Sequence, residues 1–495
     1  MPFNLPPELN ACIFVHLDVQ SILRCRQVCS AFCAVIDHNV SIQYIIELAA
    51  ANIEDGPPGN DAPAERLELL KAHQEAMMYP HWNLDQKVSM EGHAWELIGG
   101  VLGVATTVDT LHFHQLPSNY RRLERKEWTI SNKGFKLEDF SMDQSQDLLV
   151  VIQRQFVDFP TRFIVHLLSL SSGNPHPSAT KLEYCLIASW RTYDIRIFED
   201  YLGILVYQDN DRETDVDELV IWNWKTGKIV LNVEGVNLYS FAFLTETMVM
   251  LGVMPTTGSP RLQVIDLSTS TSERVNVDSM QTTCCFILPA LRARELPASF
   301  HIQSESPPVS YDHASSVPFA TSRDDRLFVV SIRGRKPRNI TMFIPLSTLL
   351  FHIRRLPGHI PGGPRSHAFL WTDWGPQGTR ALAMRTSMIW LCYVHGLKFI
   401  TRTESGRALI LDFNQYAVRK RADGHSGMNS STQFLMEPTT INKGLPFEFT
   451  TSLPYRMVSC NLPPPISYSG QALMLSEDAI VALSPDESEF QILSF

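Results

Sequence analysis

No run of about 18 uninterrupted apolar residues occurs in this chain, so no helix is expected to span a bilayer. A secretory leader is not expected either, because Glu8, Asp18, Arg24 and Arg26 interrupt the opening residues. A disulfide framework is also missing. The nine cysteines are odd in number and scattered through apolar segments, which fits reduced thiols used as small hydrophobes. These absences together lead us to expect a cytoplasmic and/or nuclear protein with no membrane partner. Basic charge is in deficit, with a formal net charge of -10, and this argues against a general nucleic-acid binder, which needs a cationic surface. The G-x-S-x-G elbow, G-x-x-x-x-G-K loop, H-E-x-x-H helix and Rossmann glycine fingerprint are all lacking. The expectation is therefore a chain without catalytic residues, cofactor or metal.

What is present is an ordinary globular composition, 44% apolar and 19% charged, over 495 residues. That length exceeds one comfortable core, so a small head and a large domain are expected. Beyond about residue 90 the periodicity is that of strands, with short runs of Val, Ile, Leu, Phe and Tyr between Gly, Pro, Asp and Ser clusters. A two-part unit recurs. Asp147–Val151 precedes Arg162–Gly173, Asp200–Val206 precedes Leu219–Gly227, Thr247–Leu251 precedes Arg261–Thr269, and Asp325–Val330 precedes Asn339–Thr348. A β-propeller, whose blades carry a buried inner strand and then a middle strand, should show this cadence. Units near residues 95, 148, 202, 248, 327, 382 and 473 predict about seven blades. Strands near Trp95 to Phe113 are expected to share the sheet of the C-terminal unit and close the ring. A pair of β-sandwiches is the rival fold.

The opening residues have a different grammar. Pro6 and Pro7 suit the first turn of a helix, and Leu9, Ile13 and Leu17 then repeat along one face, widened by Phe14. Ser21 is positioned to cap a second helix bearing Ile22 and Leu23, and Val28-Cys29-Ser30 leads into a third with Phe32, Val35 and Ile36. About 40 residues bury too little surface to be secure alone, so this much apolar surface points to a docked partner. In order and spacing, Leu5-Pro6-Pro7-Glu8-Leu9, Ile13-Phe14, His16-Leu17, Ile22-Leu23 and Val28-Cys29-Ser30-Ala31-Phe32 resemble the F-box. Ser30 departs from the Lys or Arg that many members carry there. That resemblance covers about a tenth of the chain, and the combination of this head with a β-rich remainder resembles fungal-type F-box proteins with divergent β-rich C-terminal domains.

The resemblance implies a mainly β protein with a small all-α head: a three-helix F-box over 1–48, a linker and connector helix over 49–90, and a β-propeller-like substrate-recognition domain over 91–495. It also implies docking on a Skp-family adaptor, and through it a cullin scaffold, by Leu5, Pro6, Leu9, Ile13, Leu17, Ile22, Leu23, Val28 and Phe32. The chain would then serve as the substrate-recognition subunit of an SCF-type E3 ubiquitin ligase, performing no chemistry and holding an unknown protein substrate. The alternative is a propeller enzyme or ligand-binding module with a structural helical head. Within the connector, Ala64 to Met78 reads as an amphipathic helix with Glu65, Arg66, Glu68, Lys71 and Glu75 on its solvent side.

Other clusters carry less. Cys25, Cys29 and Cys33 have no C-x-x-C pair or nearby His to complete a zinc site, and His112 and His114 lack a third ligand. The acidic run Asp209 to Glu218 lacks the turning Gly of a calcium loop and has Val220 where a closing Glu should stand. Arg333, Arg335, Lys336 and Arg338 form one basic cluster, and Arg354 and Arg355, with Arg365 further on, form another. Arginine matches carboxylate and phosphate oxygens, which makes these the candidate substrate-binding residues.

Overall fold

The computed structural model describes residues 5–59, 61–79, 84–131, 134–155, 162–180, 182–185, 192–207, 216–255, 258–290, 297–305, 317–323, 325–334, 339–356, 367–384, 393–422, 431–442, 448–463, 472–484 and 488–494. Arg335, Lys336, Arg338, Arg365 and most of the acidic run, Asp209 to Asp215, lie outside the described residues. No described helix is long and apolar enough to cross a membrane.

The head is built from α1 (Pro7–Phe14), α2 (Val19–Arg26) and α3 (Ser30–His38), followed directly by α4 (Val40–Ala51). Asn39 divides the last two: its extended backbone ends α3, and its side-chain oxygen accepts the Ile42 N–H at 3.1 Å to cap α4. Asn52 ends α4 in the left-handed conformation, with φ of 59°. A short strand, Ile53–Asp55, and α5 (Pro63–Met78) complete the connector. Helix α5 falls where the amphipathic pattern placed it, but Arg66 does not face solvent. It is 7% exposed, and Asp55 at 2.5 Å and the Pro57 carbonyl at 2.8 Å hold its guanidinium. The helical wheel assigns every charge to water, whereas this one folds back onto the connector, where Asp55 and the Pro57 carbonyl receive it.

Seven sheets of four or five strands then follow one another around a ring, making a seven-bladed propeller. In chain order the blades open on Ala94–Ile98, Asp139–Asp143, Thr192–Phe198, Leu238–Thr245, Pro297–Gln303, Val394–His395 and Leu473–Leu475. Two blades gain an extra parallel edge strand, Arg274–Asn276 on blade 3 and His367–Phe369 on blade 4.

Three details of the sequence reading are corrected. The ring is closed by Leu84–Ser89, which pairs with Glu489–Ser494 as the outer strand of blade 7, while Trp95 to Phe113 belongs to blade 1. The closing strand reads weakly because Asp85, Gln86 and Lys87 interrupt its apolar pattern. Next, the unit placed near residue 382 is the outer strand of blade 5, Arg380–Leu382, and blade 6 opens at Val394. Last, the recurring two-strand unit is the second and third strand of a blade, not the inner and the middle one: Tyr201–Tyr207 pairs with Asp217–Asn223, and Leu327–Gly334 with Asn339–Pro345.

The physical reason lies in what covers each strand. Second and third strands are packed on both faces by neighbouring blades, so they read as unbroken apolar runs; in Tyr201–Tyr207 every residue but the first is buried. First strands lie nearest the ring axis and carry polar residues: Glu96 on blade 1, Asp139 on blade 2, Asp194 and Arg196 on blade 3. Burial, together with the charges of Asp139 and Asp194, raises the Glu96 carboxyl to about 8. Burial likewise raises Asp139 to about 7. Asp194 is paired with Arg196, whose Nε donates to it at 3.0 Å and whose other arm reaches the Ile302 carbonyl of blade 5 at 2.7 Å.

Candidate functional site

The two prolines enter α1 as expected: Pro6 occupies the N-cap and Pro7 the first helical position, where a missing N–H is no loss. The helix then divides into two faces. Phe14 points inward at 4% exposure and meets Phe32 of α3 edge-to-face at 5.1 Å, in a core with Ile22, Ile36 and Ile42. Leu5, Leu9 and Ile13 are left 41%, 50% and 47% exposed, with Pro6 beside them. Val28, in the turn before α3, is 68% exposed.

The nine predicted docking residues therefore separate. Leu5, Pro6, Leu9, Ile13 and Val28 lie on the surface, and Ile22 lies wholly in the head core. Leu17, Leu23 and Phe32 are half-buried, with Leu17 and Phe32 packing on that core.

Local caps hold this arrangement. Helix α2 is capped by Asp18 rather than Ser21: its carboxylate accepts the Ser21 N–H at 2.9 Å and the Ser21 hydroxyl at 2.7 Å, and these bonds keep the Asp18 carboxyl below its ordinary range. Ser21 is thus the third residue of the helix, paired to the cap. Cys29 is an exposed N-cap whose sulfur accepts the Phe32 N–H at 3.5 Å. Cys33 lies 3.3 Å from Asp37, and Arg26 grips the same Asp37 through two bonds of 2.6 and 2.9 Å, tying α2 to α3.

On the propeller, Arg333 is half-buried on the second strand of blade 5, and burial lowers its guanidinium below the usual value. Arg354 and Arg355 are exposed at the end of α6 (Leu346–Ile353), which follows the third strand of that blade. The two candidate histidines are engaged individually: His112 with the Thr129 hydroxyl at 2.9 Å, His114 with Glu127 at 3.3 Å.

Residues 3–42 match the family described as F-box-like, the stretch that holds α1 to α3. The chain is an F-box protein with a β-propeller domain. Among solved structures it is similar to a chain in the crystal structure of a mitotic checkpoint complex, at 8% identity over 84% of this chain and 91% of that one, with a TM-score of 0.38. It is also similar to the WD40 domain of SCAP from fission yeast, at 8% identity over 81% and 84%, TM-score 0.35, and to Sqt1 of Chaetomium thermophilum, at 10% identity over 81% of each chain, TM-score 0.35. No curated protein matches the chain.

The F-box does not hang from a free linker. Antiparallel strand order places the first-to-second and third-to-fourth connections of every blade on one side of the ring, and the connector is bonded to that side. Ile53–Asp55 pairs with Phe319–Thr321, which lies between the first two strands of blade 5. Asn52 donates to the Asp325 carbonyl at 3.1 Å, and Asn414 donates to the Ala50 carbonyl at the end of α4 at 2.8 Å. Gly56 sits so tightly that a Cβ there would stand 2.0 Å from the Val317 carbonyl oxygen.

At the centre of this seat is a buried ionic cluster. Arg121, from blade 1, pairs with both Glu477 and Asp478 in the first turn of blade 7, its Nε lying 2.6 Å from Asp478. His73 of α5 reaches Asp478 at 2.9 Å. The Glu477 carboxylate accepts the Thr321 N–H at 3.0 Å, and the Thr321 hydroxyl meets His395, whose other ring nitrogen faces Glu305 at 3.0 Å. All four of Arg121, His73, Glu477 and Asp478 are at most 7% exposed. Burial alone would raise the two carboxyls, but Arg121 outweighs it, with His73 helping at Asp478 and His395 at Glu477, so both stay below their ordinary values. The sequence reading missed this cluster because Arg121 and Asp478 are 357 residues apart, and the adjacent acids Glu477-Asp478 resemble any turn.

Proposed function

We propose that this protein is the substrate-recognition subunit of an SCF-type E3 ubiquitin ligase, with the F-box docked on a Skp-family adaptor and the propeller holding a protein substrate. The observation that carries the reading is α1, which buries Phe14 and presents Leu9 and Ile13 about half-exposed, one turn apart, with Leu5 exposed just before the helix and Val28 exposed in the turn before α3. Such a row on a head this small is costly in water and is relieved by a partner. The adaptor would in turn join the chain to a cullin. The chain itself would act by proximity, keeping a target close to a ubiquitin-charged enzyme, with no covalent step of its own. The bonded seat suits this role, since an acceptor lysine is presented reproducibly only if the head holds a set orientation relative to the propeller.

Completing the burial of Leu9 and Ile13 is worth about 1 kcal/mol each, so Leu9→Ala/Ile13→Ala should weaken the adaptor complex roughly 30-fold. Co-purification with a recombinant Skp-family adaptor, followed by titration, measures this. A stoichiometric wild-type complex that weakens in a variant of unchanged stability supports the reading. A folded wild type that binds no adaptor overturns it.

A further inference from the structure

His395 ends the first strand of blade 6 and is 6% exposed, inside the seat that joins the head to the propeller. Both ring nitrogens are engaged, which fixes the ring's orientation: Nδ1 faces Glu305 at 3.0 Å and Nε2 faces the Thr321 hydroxyl at 3.0 Å. Where the protons sit follows from what these partners do elsewhere. Glu305, just past the first strand of blade 5, accepts the Gly396 N–H at 2.9 Å through its other oxygen; an ionised carboxylate only accepts, so Nδ1 donates to it. The Thr321 hydroxyl has a single proton and gives it to Glu477, a carboxylate that Arg121 keeps ionised despite its burial. Only a lone pair of that hydroxyl is left for His395, so Nε2 donates as well. A histidine that donates from both nitrogens is an imidazolium.

The same bonds run into the head. Thr321 is paired across strands with Ile53 of the connector, and the next residue, Ser322, donates its N–H to the Asn52 carbonyl at 3.0 Å. A neutral His395 has one proton fewer than this network needs. Either Glu305 loses the Nδ1 donor, or the Thr321 hydroxyl turns its proton from Glu477 to the ring, and a buried acceptor goes unpaired in both cases. Burial by itself favours the neutral ring. The charge and hydrogen bond of Glu305 and the charge of Glu477 outweigh it, against Lys398 of blade 6, and hold His395 above the ordinary histidine value. The remaining charged groups around the seat are matched: Arg326 by Asp325 and Glu305, Asp412 by Arg456, and His73 by Asp478.

We infer that His395 is a proton-dependent latch between head and propeller, which as an imidazolium holds the connector strand through Thr321 and on losing its proton loosens the seat. Every group belongs to this chain, so the latch operates whatever the head docks on. The folded value is raised, so the contribution is complete below the ordinary histidine range and is lost as pH rises through the folded value.

The test uses the full chain between about pH 6 and 9. Nitrogen-resolved NMR of the histidine rings reads protonation, with the His395 signal identified by its loss in His395→Gln. Hydrogen exchange of residues 53–55 and 319–321, corrected for the intrinsic effect of pH, reads the seat. The ring should be doubly protonated at about pH 7, and protection of both segments should fall about tenfold across its titration, the loss of one donor at a buried acceptor. Arg261–Asp266 of blade 4 should hold its protection throughout. His395→Gln should remove the pH dependence, and Glu305→Gln should shift the His395 titration to lower pH, which also identifies the signal if His395→Gln does not fold. A neutral ring at about pH 7, protection that stays flat across the titration, or a pH-dependent loss that persists in His395→Gln overturns the latch.

Discussion

Replacing Arg121 with Met should release the F-box from its seat. The guanidinium is the counter-charge of two carboxylates, Glu477 and Asp478, that are 7% and 3% exposed, and the substitution leaves both in a space with little water. Removing one partner of a buried ion pair costs about 3–5 kcal/mol, chiefly through the stranded charge and not the lost attraction. Thr321 and His395 continue to support Glu477, and His73 continues to support Asp478, so the lower half of that range is expected.

Two controls isolate the cause. Arg121→Met/Glu477→Gln/Asp478→Asn removes the charges together and should recover most of the loss. Acidification should also narrow the gap between wild type and Arg121→Met. Both carboxyls sit below their ordinary values in the wild type, so their contribution is complete above the unfolded range and is lost as pH falls through the folded values; in the variant they protonate sooner and the stranded charge disappears. Denaturant unfolding from pH 4.5 to 8 measures both effects, and limited proteolysis between α4 and α5 reports whether the seat opens first. A loss below about 1 kcal/mol at pH 7.5, or a triple variant worse than the single, would refute the stranded-charge argument.

Other perturbations follow from the same geometry. Phe14→Ala should destabilise the head by about 3–5 kcal/mol, whereas Leu9→Ala and Ile13→Ala should stay within about 0.5 kcal/mol, as monitored by hydrogen exchange across α1 to α3. Glu96 and Asp139 have folded values raised to about 8 and about 7, so the stability they permit is complete below the unfolded carboxylate range and declines as pH rises toward 8. Glu96→Gln and Asp139→Asn should therefore raise the thermal midpoint at pH 8.5 and leave it nearly unchanged at pH 4. Gly56→Ala should cost about 1–3 kcal/mol and loosen the connector, since the Val317 and Pro318 backbone cannot give way as a side chain would; differential proteolysis of the connector checks it.

Much of the architecture could be read from local pattern. Strands covered on both faces must be apolar throughout, so the second and third strands of blades 2 to 5 announced themselves; the count of about seven also used the unit near 382, which is the outer strand of blade 5 and not the opening of blade 6. First and fourth strands face the axis or the rim and tolerate polar residues, which is why Leu84–Ser89 and Val394–His395 escaped notice.

The head divides along the same line. Helical spacing in the opening residues established that α1 carries an apolar stripe and where it starts, because a 3.6-residue period and a proline pair are local properties. Which apolar residue turns inward was settled by packing: Phe14 and Ile22 became core, while Leu9 and Ile13, equally apolar in sequence, were left outside. The chain determined by itself that it has a helical head and a ring of blades. Only the tertiary structure decided how the two are joined, since Arg121, His73, Thr321, His395, Glu477 and Asp478 come from distant segments, and the worth of each charge depends on burial and neighbours that no linear pattern contains.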